Sequence, residues 1–339
     1  MQSVNVAIAG ATGAVGEVLR EMLVERSFPV DQIRLLASSR SAGKSFEFAD
    51  REIRVELLDD FDFRDTQVAF FSAGGSVSAV HAPRAVKAGA IVVDNTSEFR
   101  QQPHIPLVVP EVNAHRIKDG LETGIIANPN CSTIQMVVAL KPIYDAVGIE
   151  RINVATYQAV SGAGASAIRE LAEQTTSILN GNGAEPTVHP VQIAFNAIPQ
   201  INTFEDNGYT KEEWKMVLET KKIFEDESIQ VNPTCVRIPV FYGHSEAVHI
   251  ETKEPISVDF ARDVLMSAPN VILMDEREAG GYPTAVEHAA GTDPVFVGRV
   301  RKDVSHPRGL NMWVVSDNVR KGAALNSIQI AEELLPILN

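Results

Sequence analysis

The segment at residues 10–16 constrains the fold most strongly. It has the sequence Gly-Ala-Thr-Gly-Ala-Val-Gly and stands between an apolar run at residues 4–9 and a stretch with helical apolar spacing at 17–26. A strand, a tight glycine turn and a helix in this order predict a βαβ opening. There, Gly10 and its neighbours would let a pyrophosphate approach the main chain and the helix N-terminus. The context favours dinucleotide binding over a plain turn.

The same alternation of strands and helices continues through the first third of the chain. A helix is predicted at 77–88, although Pro83 falls inside it, and short apolar strands are predicted at 32–37, 67–72, 90–94 and 107–109. Short apolar strands separated by helices are typical of a parallel sheet that is covered on both faces. This part of the chain therefore predicts a Rossmann-like domain.

The pattern changes after about residue 128. Helices are predicted at 132–144, 210–224 and 321–335, and the second of them carries Trp214, Val217 and Leu218 on one side. Longer strands with alternating apolar and polar residues are predicted at 151–158, 235–240, 247–251, 295–301 and 311–315. Alternation of this kind indicates a mixed, largely antiparallel sheet with one wet face. The fold class is therefore α/β, with a parallel-sheet domain followed by an α+β domain.

Composition excludes several classes of protein. The 339 residues include 30 Lys and Arg against 44 Asp and Glu, a formal net charge of −14, which argues against nucleic-acid binding. Two cysteines cannot build a disulfide scaffold, and they suit a reducing, cytoplasmic compartment. No apolar run approaches the ~18 residues of a membrane span, and the start lacks a signal-peptide pattern. No His or Cys pair has zinc-ligand spacing, so no metal is expected.

The end of the second predicted strand indicates which dinucleotide is bound. NAD sites usually place an acid there for the ribose 2′-hydroxyl. Here the strand ends Leu-Leu-Ala and is followed by Ser38, Ser39, Arg40 and Ser41. Hydroxyls and a guanidinium suit a 2′-phosphate, so we predict NADP. The alternative is a plain polar turn.

Cys131 is the candidate nucleophile. It follows Asn-Pro-Asn and precedes an apolar helical run, which predicts a place at a helix N-terminus, where a thiolate and an oxyanion are both stabilised. Cys235 lies inside a strand-like segment and is predicted to be core. A nucleophilic cysteine needs a base. Among the eight histidines, His244 ranks first because it follows a glycine between two strands.

Five segments together resemble the aspartate-semialdehyde dehydrogenase family. They are GATGAVG at 10–16, DNTSEFR at 94–100, NPNCST at 128–133, TYQAVSGAGA at 156–165 and RIPVFYGHSE at 237–246. The resemblance covers essentially the whole chain. It implies a phosphorylating aldehyde dehydrogenase that reduces β-aspartyl phosphate to aspartate semialdehyde with NADPH. That reaction lies at the branch point towards lysine, methionine, threonine and diaminopimelate.

The resemblance also implies roles for individual residues. Cys131 would be the nucleophile, His244 the acid and base, and Gln158 would orient the thiol or the acyl group. Arg237 would pair with the substrate α-carboxylate and Glu212 with its amino group. Phosphate would be bound by Lys215, Arg100 and Asn130. Taken alone, Glu212 and Lys215 could equally form an ordinary solvated helical ion pair.

The family's cofactor site and domain organisation carry over in the same way. The implied nucleotide contacts are Gly10, Thr12, Gly13, Ala14, Val15, Ser72, Ala73 and Gly74, with Gly162 and Asn318 near the nicotinamide. The expected domains are an NADP-binding domain at 1–129 and 320–339 and a catalytic and dimerisation domain at 130–319. We expect a homodimer or a tetramer. Region 180–207 has no predicted role.

Two alternatives remain open at the level of sequence. An N-acetylglutamyl-phosphate reductase would also need a cysteine, a histidine and NADPH, but it would not need Glu212 for a free amino group. A non-enzymatic NADPH-binding redox sensor would use Cys131 alone, and it would have no use for Arg100, Lys215 and Arg237 together.

Overall fold

Residues 3–338 are described by the structure, a computed structural model, and they divide into two units. Unit 1 is formed by the chain up to Asn130 together with the segment from Ala323 onwards. Unit 2 is Cys131–Gly322. The C-terminal segment therefore completes the first unit, and the second unit is inserted into it.

A seven-stranded sheet in the order β3-β4-β2-β1-β5-β6-β7 forms the centre of unit 1. All pairings are parallel except that of β3 with β4, which is antiparallel. The strands are β1 (Val4–Ala9), β2 (Val30–Ala37), β3 (Ser45–Phe48), β4 (Arg51–Leu57), β5 (Val68–Phe71), β6 (Ile91–Asp94) and β7 (Ile125–Ala127). Strand β1 lies between β2 and β5, so the chain adds strands first on one side of β1 and then on the other. This change of direction places a topological switch point at β1.

Helices α1 (Ala14–Glu25), α2 (Gly75–Lys87), α3 (Pro110–Asn113), α4 (Asp119–Thr123) and α9 (Leu325–Leu334) complete unit 1. Helix α2 continues through Pro83. A π-helical turn, Arg320–Ala324, leads into α9. The apolar side of α9 joins the core formed by β1, β2, β5 and α1, with Leu325, Ile328, Ala331 and Leu334 all buried.

One sequence prediction for unit 1 was wrong, and three strands were not predicted. The strand predicted at 107–109 is only a single bridge, from Leu107 to Ala127, because a proline stands at either side of this segment and Pro110 begins α3. The hairpin of β3 and β4 and the strand β7 were not predicted. Their alternation is broken by charged residues, such as Arg51 and Glu52, or they are only three residues long.

Unit 2 contains a six-stranded mixed sheet in the order β11-β12-β13-β10-β8-β9. The pairs β8–β9 and β11–β12 are parallel, and the others are antiparallel. The strands are β8 (Ile149–Gln158), β9 (Gln230–Arg237), β10 (His244–Thr252), β11 (Val271–Leu273), β12 (Val295–Lys302) and β13 (Gly309–Ser316). The helices are α5 (Cys131–Val147), α6 (Ala165–Leu179), α7 (Lys211–Phe224) and α8 (Val258–Met266).

The buried face of α7 differs from the sequence prediction. Leu218 is 41% exposed, whereas Glu212 is 5% and Glu213 is 7% exposed. Glu213 completes a capping box with Thr210 and accepts a hydrogen bond from the backbone N–H of Cys235 (2.9 Å). The buried side of α7 therefore combines these hydrogen-bonded acids with the apolar residues Met216, Ile223 and Phe224.

No helix within residues 3–338 has both the length and the apolar character needed to cross a membrane.

Candidate active site

The glycine turn of unit 1 packs closely against the end of β5. Gly10 has φ +92°, and a Cβ there would lie 2.9 Å from the backbone nitrogen of Ala73. A Cβ on Gly16 would lie 2.3 Å from the carbonyl oxygen of Gly10. Gly10 therefore supplies a left-handed turn, and Gly16 lets α1 approach that turn.

The loops after β1 and β5 meet at the carboxyl edge of the sheet. Ser72 donates a backbone hydrogen bond to the carbonyl of Ala9 (2.8 Å), and Gly74 precedes α2 with φ +98°. The N-terminus of α1 begins at Ala14, immediately beyond Gly13. The structure thus brings together the unit 1 residues that were predicted to bind the dinucleotide: Gly10, Thr12, Gly13, Ala14, Val15, Ser72, Ala73 and Gly74. Free N–H groups at a helix N-terminus suit a pyrophosphate.

The turn after β2 lies beside the glycine turn. Gly10 donates its backbone N–H to the carbonyl of Leu36 (2.9 Å), and Ser41 donates to the carbonyl of Ser38 (2.9 Å). Ser38, Ser39 and Arg40 are exposed. The residues of this turn could therefore contact a ribose that extends from the pyrophosphate site.

Two of the predicted phosphate ligands belong to unit 1. Arg100 and Asn130 are each 6% exposed. The Nη2 atom of Arg100 donates to the carbonyl of Asn95 at 2.7 Å, which fixes one side of the guanidinium. Asn130 is the last residue of unit 1 before the chain enters unit 2.

Cys131 is the first residue of α5 and is partly exposed. Its position confirms the predicted placement at a helix N-terminus, where backbone N–H groups favour negative charge. Gly322 lies close by, since a Cβ there would be 2.8 Å from Cβ of Cys131. The backbone at Gly322 therefore approaches the nucleophile without a side chain between them.

Gln158 links the end of β8 to both α5 and α7. Its Nε2 donates to Oγ of Ser132, the residue after the nucleophile, and to Oε1 of Glu212 at 3.4 Å. The side chain is 1% exposed. Gln158 therefore stands between the start of α5 and the acid of α7, where it can orient an acyl group bound to Cys131.

His244 is the first residue of β10 and is fully buried. The backbone N–H of Ala159 donates to its Nδ1 at 3.0 Å, so a neutral imidazole carries its proton on Nε2. Burial, and then the positive charge of Arg237, lower the pKa of His244 to about 3. Within the described part of the chain, Nε2 has no hydrogen-bond partner. The ring is thus a neutral donor aimed at a position that a substrate oxygen can occupy.

Arg237 lies at the end of β9, in register with Gln158 on β8. Its Nη1 donates to the carbonyl of Ala159 at 2.7 Å. Burial lowers the pKa of Arg237, whereas the negative charges of Glu212 and then Cys131 act to raise it. An arginine stays protonated under these conditions, so it offers a buried cation beside the nucleophile.

Glu212 and Lys215 form an ion pair on one face of α7, with a distance of 2.9 Å between Nζ and Oε2. The Glu212 side chain is 7% exposed and that of Lys215 is 23% exposed. This burial, together with the contact between Glu212 and Gln158, argues against the solvated helical pair that was the alternative interpretation.

Gly162 and Asn318 border the same site. A Cβ on Gly162 would lie 3.0 Å from Nη1 of Arg237 and 3.5 Å from Nε2 of His244. Asn318 accepts the backbone N–H of Gly243 (2.9 Å) and donates to Oγ of Ser161 (2.9 Å). Gly162 therefore keeps the space between Arg237 and His244 open. Asn318 fixes the turn before His244.

A second row of polar side chains lies on the same face of the sheet, two residues along the strands from Gln158, Arg237 and His244. Glu246 pairs with Thr156, which pairs with Cys235, and all three are fully buried. Burial raises the pKa of Glu246 well above its usual range, with Gln135 opposing, and burial likewise raises the pKa of the Cys235 thiol.

Sequence reasoning missed three contributors to the site. The backbone of Ala159 contacts both His244 and Arg237, and Ser132 accepts from Gln158. The buried carboxyl of Glu246 was also missed. A backbone contact leaves no mark on residue type, whereas the even spacing of His244 and Glu246 in a strand could have indicated a shared face. Within residues 3–338, no group of three or more His, Cys, Asp or Glu side chains is placed to hold a metal.

Comparison with known proteins decides the family. Residues 5–120 match the semialdehyde dehydrogenase NAD-binding domain, and residues 140–321 match the semialdehyde dehydrogenase dimerisation domain. Aspartate-semialdehyde dehydrogenase of Legionella pneumophila is 61% identical over 330 residues, which are 97% of this chain and 95% of that protein. The chain belongs to the aspartate-semialdehyde dehydrogenase family.

Solved structures of this family agree with the fold. Aspartate semialdehyde dehydrogenase II of Vibrio cholerae, complexed with ASA, has a TM-score of 0.97 and 59% identity, covering 99% of each chain. The Candida albicans enzyme, solved with NADP, has a TM-score of 0.76 and 26% identity, covering 98% of this chain and 99% of that one. The chain is thus an oxidoreductase with a nicotinamide-binding domain, and the predicted fold class and family resemblance are confirmed.

Proposed function

We propose that the chain reduces L-4-aspartyl phosphate to L-aspartate 4-semialdehyde and phosphate, with NADPH as reductant and a thioester on Cys131. The observation that carries this proposal is the cluster in unit 2. A cysteine at a helix N-terminus adjoins a neutral buried histidine, a buried arginine and a glutamine that bridges to a buried acid. The family assignment supports the same reaction.

Acyl transfer to sulfur is the first step. The Cys131 thiolate attacks the acyl carbon, the C–S bond forms, and the bond from carbon to phosphate oxygen breaks as phosphate leaves. The Nε2–H of His244 donates to the oxygen that becomes negative in the tetrahedral stage, since this N–H is buried and has no other partner in residues 3–338. Gln158 holds the acyl group against the start of α5.

Reduction of the thioester follows. A nicotinamide bound in unit 1 would supply the hydride, a proton together with two electrons, that reduces the thioester carbon. The resulting hemithioacetal oxygen is again held by His244, and collapse breaks the C–S bond, releases the aldehyde and restores the Cys131 thiolate. Gly162 leaves the room that a nicotinamide and the acyl carbon both need beside His244.

Substrate recognition uses the charges around the nucleophile. Arg237 pairs with the α-carboxylate, for which a planar guanidinium is suited, and Glu212 pairs with the α-ammonium. Lys215, Arg100 and Asn130 bind the phosphate. Lys215 and Glu212 are paired with each other before the substrate binds. On binding, this ion pair is replaced by two others, between Glu212 and the substrate ammonium and between Lys215 and the phosphate.

NADP is the proposed nucleotide. Arg40 and the serines at 38, 39 and 41 follow β2 where an NAD enzyme would place an acid, and a relative was solved with NADP. Replacement Arg40→Ala should lower the preference for NADP over NAD. An unchanged ratio of kcat/KM values would exclude a role for Arg40 in cofactor choice.

A homodimer is the proposed assembly, and the outer face of the unit 2 sheet is its proposed interface. Tyr157 and Trp313 pack together on this face, with ring centroids 5.6 Å apart, and Val286 beside it is 71% exposed. An exposed apolar surface of this kind is typical of a protein–protein interface. Sedimentation should give a dimer mass, and Trp313→Glu should shift it towards the monomer.

The decisive test is a phosphate-dependent assay. L-aspartate semialdehyde, phosphate and NADP should yield NADPH, and omission of phosphate should stop turnover. An N-acetylated glutamate semialdehyde should be a poor substrate, because Glu212 would have no ammonium to meet. Preference for the N-acetylated substrate, or absence of turnover with either, would overturn the proposal.

A further inference from the structure

Three asparagines of unit 1, two of them buried, form a cluster that neither nucleotide binding nor the chemistry at Cys131 uses. They are Asn95, which follows β6, Asn128, which follows β7, and Asn326 on α9. Asn326 is fully buried and Asn128 is 1% exposed. Residues separated by about 200 positions in the sequence therefore meet at one point.

Hydrogen bonds connect the three side chains in series. Asn326 Nδ2 donates to Oδ1 of Asn128 (2.7 Å) and to the carbonyl of Val108 (2.9 Å). Asn128 Nδ2 donates to Oδ1 of Asn95 (3.1 Å), which also accepts from Oγ of Ser327 (2.9 Å). Helix α9 is thus tied through two of its residues to the ends of two adjacent strands.

Two members of this series, Asn95 and Asn128, each lead to a proposed phosphate ligand. The carbonyl of Asn95 accepts from Nη2 of Arg100 at 2.7 Å, so the position of Asn95 sets that of the guanidinium. Asn128 stands two residues before Asn130, and its backbone N–H is held by the carbonyl of Asp94 (2.8 Å). A shift of the asparagines would therefore move Arg100 and Asn130 together.

Packing alone does not require amides at these positions. Helix α9 otherwise buries apolar side chains in the core of unit 1. Buried amides are costly unless they are hydrogen-bonded, and each such bond contributes only about 1 kcal/mol net, so a fully apolar cluster in place of all three amides would be nearly neutral for stability. What the amides add is a directional connection, which leucine cannot make.

We propose that Asn326 is a positioning residue for the phosphate subsite, acting through Asn128 and Asn95 on Asn130 and Arg100. The inference rests on the proposed function, because it needs those two residues to bind phosphate. It predicts an effect on one substrate out of three. Phosphate binding should weaken, whereas binding of the aldehyde and of NADP should not.

The test is Asn326→Leu, which keeps the branched shape and the number of heavy atoms and removes the amide. In the phosphate-dependent oxidation of aspartate semialdehyde, the KM for phosphate should rise about tenfold, corresponding to about 1.4 kcal/mol. The KM for the aldehyde and the KM for NADP should stay within about twofold. Gln329→Leu is the matched control, since Gln329 lies on the same helix and bonds Glu111 instead (3.1 Å); it should leave all three constants unchanged.

A smaller change guards against misfolding of the leucine variant. Ser327→Ala removes one hydrogen bond to Asn95 and cannot clash, and it should raise the same constant about threefold. An unchanged phosphate KM in a folded Asn326→Leu protein would overturn the inference, and so would an equal rise in all three constants. Either result leaves the proposed function standing, whereas a wild-type enzyme without phosphate-dependent turnover would overturn both.

Discussion

Two successive rows of polar side chains on one face of the unit 2 sheet differ in what they can do chemically. The outer row includes Arg237 and Gln158 at the strand ends, with His244 beside them. The inner row, two residues deeper, holds Cys235 and Glu246. A thiol and a carboxyl in the inner row are kept neutral by burial, whereas the outer row adjoins a thiol that is partly exposed.

The difference shows that the surroundings of a residue, and not its type alone, determine whether it is reactive. Cys131 differs from Cys235 in standing at a helix N-terminus, where charge is stabilised and a substrate can arrive. Cys235 lies near Glu212 and Glu213, whose negative charges add to the effect of burial in raising the pKa of its thiol. Along β10, likewise, only two residues separate His244, which faces the candidate site, from the inert carboxyl of Glu246.

The largest expected effect distinguishes the two thiols. Cys131→Ser should abolish NADPH formation, because a hydroxyl at this position is a far weaker nucleophile, while NADP binding should remain. Cys235→Ala should keep turnover within about twofold and lower the free energy of unfolding by about 1 kcal/mol. Steady-state assays and NADP titration would check this. Full activity of the Cys131→Ser protein would exclude the thioester.

The next effect compares His244 with Glu246. His244→Asn should lower kcat by about 10²–10⁴-fold with little change in KM, since it removes the donor to the developing oxyanion. Glu246→Gln should leave kcat within about twofold, because a neutral carboxyl and an amide of similar shape carry no charge. A kcat loss in Glu246→Gln as large as that in His244→Asn would show that the inner row is charged.

Acid titration of stability tests the same histidine. Its pKa is lowered to about 3 by burial in the folded state, against about 6.5 in the unfolded chain. The unfolded chain thus binds more protons between these values, so the free energy of unfolding should fall as the pH falls below about 6.5. The contribution of His244 is at most about 1.4 kcal/mol per pH unit. Urea denaturation of wild type and His244→Asn should show a shallower decline in the variant; parallel curves would contradict the lowered pKa.

The smallest effect probes the space between Arg237 and His244. Gly162→Ala would place a methyl group 3.0 Å from Nη1 of Arg237, so kcat/KM for the aldehyde should fall about tenfold. Gly183→Ala is the control, because no atom lies within 4 Å of the added carbon. Equal kcat/KM values in the two variants would mean that the space between Arg237 and His244 can accommodate an added methyl group.

Sequence patterns predicted the parts of this molecule that depend on local chemistry. The glycine turn before α1 and the cysteine at the start of α5 follow from residue type and order, and the structure has both. The buried face of α7 was missed because Glu213 and Glu212 are buried by hydrogen bonds that are formed with other elements. Hairpin β3–β4 was missed because β3 is only four residues long and β4 carries charged residues such as Arg51 and Glu52.

Contacts made by the main chain were beyond prediction for a different reason. The tautomer of His244 depends on the N–H of Ala159, and the position of Arg100 depends on the carbonyl of Asn95. Every residue except proline offers such groups, so nothing in the sequence distinguishes the ones that are used. Long-range pairs such as Asn128 with Asn326 are invisible for the same reason until the topology is known.

The return of α9 to unit 1 has a consequence for how the chain is made. The core around β1 and β5 includes Leu325, Ile328 and Leu334, which leave the ribosome only after all of unit 2 has been synthesised. The nucleotide-binding unit must therefore wait with an uncovered apolar surface while the inserted unit emerges and folds. During that interval the first 130 residues expose to solvent the apolar side chains that Leu325, Ile328 and Leu334 later cover.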